Sequence, residues 1–380
     1  MQENSEISVS ISVIFTELPD HVALLCLARL PARARAAGSC VSRAWRSALS
    51  PSSIWPVRLA LKIPSNDLIF VAIKQQDAAA SPYTWRPLVV YPGRRAISFV
   101  PQPENAPAVD WNNLQAAVSL HGKLYLIGSH TPDPSYCQNS LTILRYDGDR
   151  GVWSSIPSLA PRFRRSFASA GLGKFVYVAG GFGAGGESLA TAARFDTETY
   201  EWEVLPAMKR ERDTCSAFVM DGRVYVIGGY KVCESSSDDV EESSAEVFDP
   251  KTGTWTLIEG VWTESLRWRA GVDDRRQPVV AVAGNTLYAM EHCTSHLFRY
   301  DAGRNRWIYL DCVGHHCGKI RLVSGEEDFY GICACGGGGK ICVLALTRGG
   351  EDFRWSNIEI CDAVFKGFKC RMLGCATMCM

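Results

Sequence analysis

The sequence predicts a small α-helical module followed by a large all-β domain built from repeats. Three observations carry that expectation. Between residues 15 and 60 short Leu- and Ala-rich stretches are punctuated by prolines. Beyond them an aromatic, an Asp and a Trp recur together at an interval of about 50 residues. Glycine-bounded strand patterns recur at the same interval. The chain has 380 residues, too many for one small core and suited to a small module plus one large domain.

Bulk composition narrows the function classes. Lys plus Arg (40) equals Asp plus Glu (40), which argues against a general nucleic-acid or membrane-surface binder, since either needs a strongly basic face. No apolar run approaches the roughly 18 residues that span a bilayer. The first residues, MQENSEISVSISVIF, lack a basic start followed by an apolar stretch and do not read as a secretory signal. The 15 cysteines are odd in number and irregularly spaced, so they read mostly as small buried hydrophobes of a reducing cytoplasm or nucleus.

Residues 1–14 are polar and Ser-rich and are expected to be disordered. From Phe15 the pattern changes. Leu18-Pro19-Asp20 reads as a turn in which Asp20 caps the following helix. That helix carries Val22, Leu25 and Cys26 on one face and Leu24 and Leu27 on the neighbouring one, and Leu30-Pro31 stops it. A second short helix is expected over Ala32 to Ala37. A third starts near Val41, carries Trp45 and Leu49 one turn apart, and ends at Pro51, before Ile54-Trp55. Three short helices cannot bury all these apolar groups among themselves, so another domain or a partner must cover the surplus. From Phe15 to Ala60 there are six Arg, no Lys and two acids, which suits an acidic partner.

These residues resemble an F-box: Leu18-Pro19-Asp20, the Leu-rich helix ending at Leu30-Pro31, the run Val41-Ser42-Arg43-Ala44-Trp45-Arg46, and the closing Trp55. The resemblance assigns residues 15–60 to the F-box and implies binding to the Skp-type linker protein and cullin scaffold of ubiquitin ligases. Leu18, Pro19, Val22, Leu25, Leu30, Val41, Trp45 and Trp55 are the candidate linker-binding residues. The alternative is an ordinary helical cap on the repeat domain.

In the repeats, an aromatic is followed seven residues later by Trp in four segments: Tyr146 and Trp153, Phe195 and Trp202, Phe248 and Trp255, Tyr300 and Trp307. Asp147, Asp196, Asp249 and Asp301 follow the aromatic, as in a strand, a tight turn and a second strand. Upstream lie GKLYLIGS, GKFVYVAGG, GRVYVIGGY and GNTLYAM, two of them ending in double glycines, Gly180-Gly181 and Gly228-Gly229. Glycine there permits positive φ and close backbone packing. Four short strands per unit in a ring of such units is a β-propeller. Trp85, Trp153, Trp202, Trp255, Trp307 and Trp355 form a ladder of six units; the degenerate first and last leave five and seven open. A closed ring must hide its last edge, so Phe368–Thr377 is expected to add a strand to the unit begun by Leu68–Gln75.

The glycine and Trp motifs resemble kelch repeats, which gives residues 61–380 as a kelch-type propeller. The order of F-box, KRERDTCSAFVMDGRVYVIGGY and a Cys-bearing closing strand is similar to plant F-box/kelch-repeat proteins. That resemblance implies a non-catalytic adaptor presenting a target protein for ubiquitination. It implies targets among phenylpropanoid and flavonoid enzymes or hormone-response regulators. The alternatives are a kelch scaffold without a ubiquitin role and a metal-dependent kelch enzyme.

No motif specifies catalysis, a cofactor or a metal. Gly180–Gly186 follows a strand but precedes no helix, so it reads as a loop and not a phosphate cradle. Cys312, His315, His316 and Cys317, with Cys333 and Cys335 further on, are zinc-type ligands at poor spacing for a structural zinc site. The acidic stretch Glu234–Glu246 reads as a solvated insert.

The target is expected on the propeller face that carries the loops after the double glycines, with Phe182 and Tyr230 as anchors. Basic residues precede the Tyr-bearing strands: Arg162, Arg164 and Arg165; Arg210 and Arg212; Arg275 and Arg276. Arg164, Arg165, Arg210, Arg212 and Arg275 are the candidate carboxylate-binding residues, since Arg takes carboxylates bidentately. Pairing of these arginines with acids such as Glu211, Asp213 or Asp274 is the equally open alternative.

Overall fold

The computed structural model describes residues 18–30, 32–49, 53–54, 57, 61, 67–77, 80–91, 96–99, 114–129, 141–148, 150–156, 160–161, 164–232, 240–262, 279–283, 285–291, 296–312, 320–324, 329–335, 340–349, 352–360 and 369–379. Met1–Ser65 forms one compact unit, and nearly all of Asn66–Cys379 forms a second.

The N-terminal unit contains α1 (Asp20–Ala28), α2 (Ala32–Gly38) and α3 (Arg43–Ala48). Asp20 is not the cap of α1. Pro19 occupies that position and its carbonyl accepts the amides of Val22 and Ala23. Asp20 instead begins the helix, where its charge favours the dipole. Ser42 caps α3 by accepting the Trp45 amide at 3.1 Å. The core joins Leu27, Ala28, Ala48, Leu49 and Ile54, with Leu24, Leu30 and Trp45 packed against it. Gly38 is needed there, because a Cβ would stand 2.9 Å from Leu49 Cδ1 and 3.2 Å from the Trp45 ring. Several arginines of this unit bind carbonyls: Arg35, buried, donates to Leu30 O at 2.8 Å, and Arg29 donates to Leu25 O at 2.9 Å.

The second unit holds six four-stranded antiparallel sheets among the described residues. Five are simple meanders. The first of these runs Leu114–Leu120, Lys123–Ser129, Leu141–Asp147, Val152–Ile156, and the next Ala168–Leu172, Phe175–Ala179, Ala192–Asp196, Trp202–Leu205. Then come Ser216–Met220, Arg223–Ile227, Ala245–Asp249, Thr254–Ile258, and after them Val279–Ala283, Thr286–Met290, His296–Asp301, Arg306–Cys312. Ile320–Ser324, Phe329–Cys335, Lys340–Gly349 and Asp352–Ile360 form a fifth meander. The remaining sheet joins both ends of the unit. Lys369–Cys379 lies antiparallel to Asp67–Asp77, with Asp67 opposite Cys379 and Gln76 opposite Lys369, and Ala80–Tyr91 and Ala96–Phe99 follow.

Lys369–Cys379, Leu114–Leu120, Ala168–Leu172, Ser216–Met220, Val279–Ala283 and Ile320–Ser324 are neighbours in that order, and the last returns to the first. The arrangement is that of a β-propeller. Apolar layers lie between successive sheets: Val118, Ile127, Phe167 and Val178 in one, Tyr177, Met208, Val226 and Phe248 in the next, and Phe218, Ile227, Trp262 and Trp307 in a third.

The aromatic–Trp motif forms a cross-strand pair in each repeat. Tyr146 faces Trp153, Phe195 faces Trp202, Phe248 faces Trp255 and Tyr300 faces Trp307, with ring centroids 5.0, 5.3, 5.1 and 5.1 Å apart. Trp255 Nε1 donates to Pro206 O and Trp307 Nε1 to Val261 O, both at 2.8 Å, tying each sheet to the connection leaving the preceding one. Trp307, on which the Trp262 ring stacks at 5.2 Å, is buried, whereas Trp153, Trp202 and Trp255 are half-buried. The Asp of the motif caps the turn: Asp196 accepts the Glu198 amide at 2.8 Å and Asp249 the Lys251 amide at 2.9 Å.

Candidate functional site: the double-glycine loops and the helical surface

The loop site begins with the glycines. Gly180 and Gly181 have φ of +66° and +94°, and Gly228 and Gly229 have +67° and +99°. Close approach adds to the conformational need. A Cβ on Gly181 would lie 2.6 Å from Arg165 O, and one on Gly229 would lie 2.7 Å from Asp213 O. The chain leaving each double glycine therefore packs directly on the segment that enters the same sheet. Phe182 and Arg165 exchange backbone hydrogen bonds at 2.8 and 3.1 Å, and Tyr230 and Asp213 do so at 2.9 and 2.8 Å. Neighbouring sheets are stitched as well, by Gly181 N to Arg212 O and Thr214 N to Ser166 O, both 2.9 Å.

The arginines divide into two roles. Arg164 and Arg212 do not face a target. They are 2% and 0% exposed. Arg164 donates to Gly180 O (3.1 Å), Thr191 O (2.9 Å) and Thr191 Oγ1 (3.2 Å). Arg212 donates to Gly228 O (2.9 Å), Ser244 O (3.0 Å), Ser244 Oγ (2.9 Å) and Glu246 Oε1 (3.0 Å). Each fills the gap between the first glycine carbonyl and the start of the third strand, bonding that glycine carbonyl and adding a second donor to the Thr191 or Ser244 carbonyl, which also accepts the glycine amide. These two expected target-binding residues are structural ties.

Arg210 and Arg165 lie outside that interior. Arg210 grips Glu242 through one nitrogen, at 2.8 and 3.0 Å, and Glu259 through another at 2.6 Å. Burial tends to raise the Glu242 carboxyl, but hydrogen bonds from Ser244 and Arg210 outweigh it and hold the carboxyl below its usual value. Arg165 is exposed, its guanidinium 5.5 Å from the half-buried Phe182 ring. Tyr230 is half-buried, and the adjacent Lys231 pairs with Glu211 at 3.1 Å. Arg162, Arg275, Arg276 and Asp274 lie outside the described residues.

The acidic stretch is not uniformly solvated. Tyr230–Lys231 and Val240–Glu241 form a small two-stranded ribbon, while residues 233–239 lie outside the described residues. Its C-terminal end enters the core: Glu246 is 0% exposed and accepts the Lys209 amide (2.6 Å), the Arg210 amide (3.0 Å) and Arg212. Sequence reading missed Glu242 and Glu246 as the counter-charges of the arginines. The available signal reached Glu246 alone, which shares its strand phase with Phe248; Glu242 lies before that strand begins.

Cys215 is buried, and that burial pushes its thiol up to about 11. Cys312 ends a strand opposite His296, and His315, His316 and Cys317 lie outside the described residues. In the register of Phe329–Cys335 with Lys340–Gly349, Cys333 stands opposite Cys342.

On the helical unit, Leu18 (42%) and Val41 (64%) are exposed, as is Pro19, while Val22 and Leu25 are half-buried. Leu30 and Trp45 pack against the unit's own core, so they shape the surface from beneath. Trp55 and residues 1–14 lie outside the described residues.

Comparison with known families matches residues 114–324 to the KLHDC2/KLHL20/DRC7 Kelch-repeats domain. The chain belongs to the kelch-repeat family. Residues 15–56 match the F-box domain. The F-box/kelch-repeat protein At1g26930 of Arabidopsis thaliana is 32% identical over 219 residues, covering 57% of this chain and 50% of the relative. Two further Arabidopsis F-box/kelch-repeat proteins, At1g67480 and SKIP11, are 29% identical over 239 and 248 residues, covering 63% and 62% of this chain. The chain spans 50, 60 and 52% of the length of these three relatives. In this kelch protein the family match takes in the four meanders whose motifs are clearest, and the sheet closed by Lys369–Cys379 lies beyond it.

Proposed function

We propose that this protein is the substrate-recognition subunit of a Skp–cullin–F-box ubiquitin ligase. The F-box docks a Skp-type linker, which connects it to the cullin, and the kelch propeller holds a target protein for ubiquitination and proteasomal degradation. The protein itself is a non-catalytic adaptor acting in the cytoplasm or nucleus. Supporting this reading is one observation above others: in a segment matching the F-box, Leu18, Pro19 and Val41 stay exposed although the unit has a core of its own. Exposed apolar groups beside a formed core are what a docking surface requires. Six blades, with the F-box over residues 15–60 and the propeller over 61–380, complete the proposed architecture; the closed order of the six innermost strands supports that number. Enzymes of phenylpropanoid or flavonoid synthesis, or hormone-response regulators, are the proposed target classes, on the resemblance to plant F-box/kelch-repeat proteins.

Co-capture with a Skp-type linker tests the proposal. The full chain should retain the linker, and Leu18→Asp with Val41→Asp should lose it while the propeller keeps its thermal transition. Equal capture by both chains, or capture by neither, overturns the adaptor assignment.

A further inference from the structure

Six arginines lie between residues 164 and 232, and five of them are bound within the protein. Arg164 is tied to Gly180 and Thr191, Arg194 to Glu203, Arg210 to Glu242 and Glu259, Arg212 to Glu246, and Arg223 to Asp249. Arg165 differs. It is exposed, and no carboxylate pairs with it among the described residues. Its position is nonetheless well determined. Its backbone and that of Phe182 hold each other by two hydrogen bonds, Phe182 bridges onward to Ser188, and Gly181 fixes the approach at a φ open to glycine. The cation therefore stands over an aromatic ring on a doubly anchored backbone. A ligand meeting it orders little more than the guanidinium itself.

We propose that Arg165 and Phe182 form a clamp for an acidic peptide segment of the target, in which Arg165 takes one Asp or Glu carboxylate and Phe182 takes the adjoining apolar side chain. This rests on the reading of the loop face as the target-binding surface. The chemistry points to a monoanionic carboxylate and not a phosphate. A dianion calls for a cluster of cations. Among the described residues Lys231, which follows Tyr230, is already paired with Glu211, and the exposed Glu187 lies on the loop following Phe182. In the next repeat the equivalent position is Asp213, 0% exposed and held by Ser188 Oγ at 2.7 Å and Thr214 Oγ1 at 2.9 Å. Among the described residues the next repeat therefore carries no such clamp.

The test is selection from a random 12-residue peptide display library on the purified full-length chain. The wild type should enrich Asp or Glu next to an apolar residue. Arg165→Gln should cut that enrichment about tenfold, as loss of a charge-assisted contact would, and Arg165→Lys should keep part of it. Arg210→Gln, which removes an arginine already neutralised, should leave it unchanged. A pool without acidic enrichment, or equal enrichment on Arg165→Gln and wild type, overturns the clamp. Linker co-capture on the same preparations separates the two readings: its loss with acidic enrichment intact overturns the adaptor assignment alone.

Discussion

The repeats entered at Arg164 and Arg212 share a backbone and differ in what they do with charge. In both, an arginine fills the space under the first glycine, and the next residue bonds to the residue after the second. In the first repeat that next residue is Arg165, exposed beside Phe182. In the second it is Asp213, fully buried behind Tyr230. The pocket under the glycine also differs: Thr191 receives Arg164, whereas Ser244 and the buried Glu246 receive Arg212. Adjacent residues of one motif thus split into a structural charge and a surface charge. Position in the repeat decides which is which, because the backbone path sets the side-chain direction.

Removing Arg212 is expected to have the largest effect. Arg212→Ala leaves Glu246 buried without its counter-ion and should cost about 3–5 kcal/mol. Arg164→Ala, whose lost partners are two carbonyls and a hydroxyl, should cost about 2–3 kcal/mol. Urea denaturation of both variants checks the order, and a smaller loss for Arg212→Ala than for Arg164→Ala would break the comparison.

The glycines come next. Gly181→Ala brings a Cβ to 2.6 Å from Arg165 O at a φ of +94°. Gly186→Ala meets nothing within 4 Å at a φ of +85°. The second should cost about 1 kcal/mol from conformation alone, and the first clearly more. Equal melting temperatures would remove close approach as the reason for the double glycine.

Acid should weaken the second repeat through Glu242. Its folded-state carboxyl is held below the usual value, so the unfolded chain binds the proton more readily. The stabilisation is present above the unfolded value, near pH 4.3, and is lost as pH falls through the lower folded value. Glu242→Gln should flatten the pH dependence of the urea midpoint below about pH 4.5. An unchanged slope would show that the Arg210 pairing has no thermodynamic weight.

The smallest effects should fall on Arg165 and Cys215. Arg165→Gln should change stability by less than about 0.5 kcal/mol, as expected of an exposed side chain without an ion pair. Native protein at pH 8 should show no reaction of Cys215 with a thiol reagent, since burial holds the thiol near 11, while the exposed Cys26 and Cys40 react. Peptide mapping of the labelled chain checks this, and labelled Cys215 would show that the layer beneath the double glycines opens.

Much of the architecture was legible in sequence because it is local. An aromatic seven residues before a Trp forces a tight hairpin, and Phe195 does stand opposite Trp202 and Phe248 opposite Trp255. Double glycines declared a positive φ, and both residues of each pair have it. Leu18 and Val41 carried a pattern that three short helices could not bury. What the tertiary structure alone decided is the fate of charge. Arg164 and Arg165 are chemically identical neighbours in the sequence, and no periodicity separates a guanidinium that meets carbonyls across the sheet from one that meets water. Their partners, Thr191 for one and Phe182 for the other, lie 27 and 17 positions away and come together only when the strands pair. Side-chain direction follows from strand phase and can be read along the chain. The identity of the group waiting at the end of that direction is a long-range fact, and only the closed packing of the sheets supplies it.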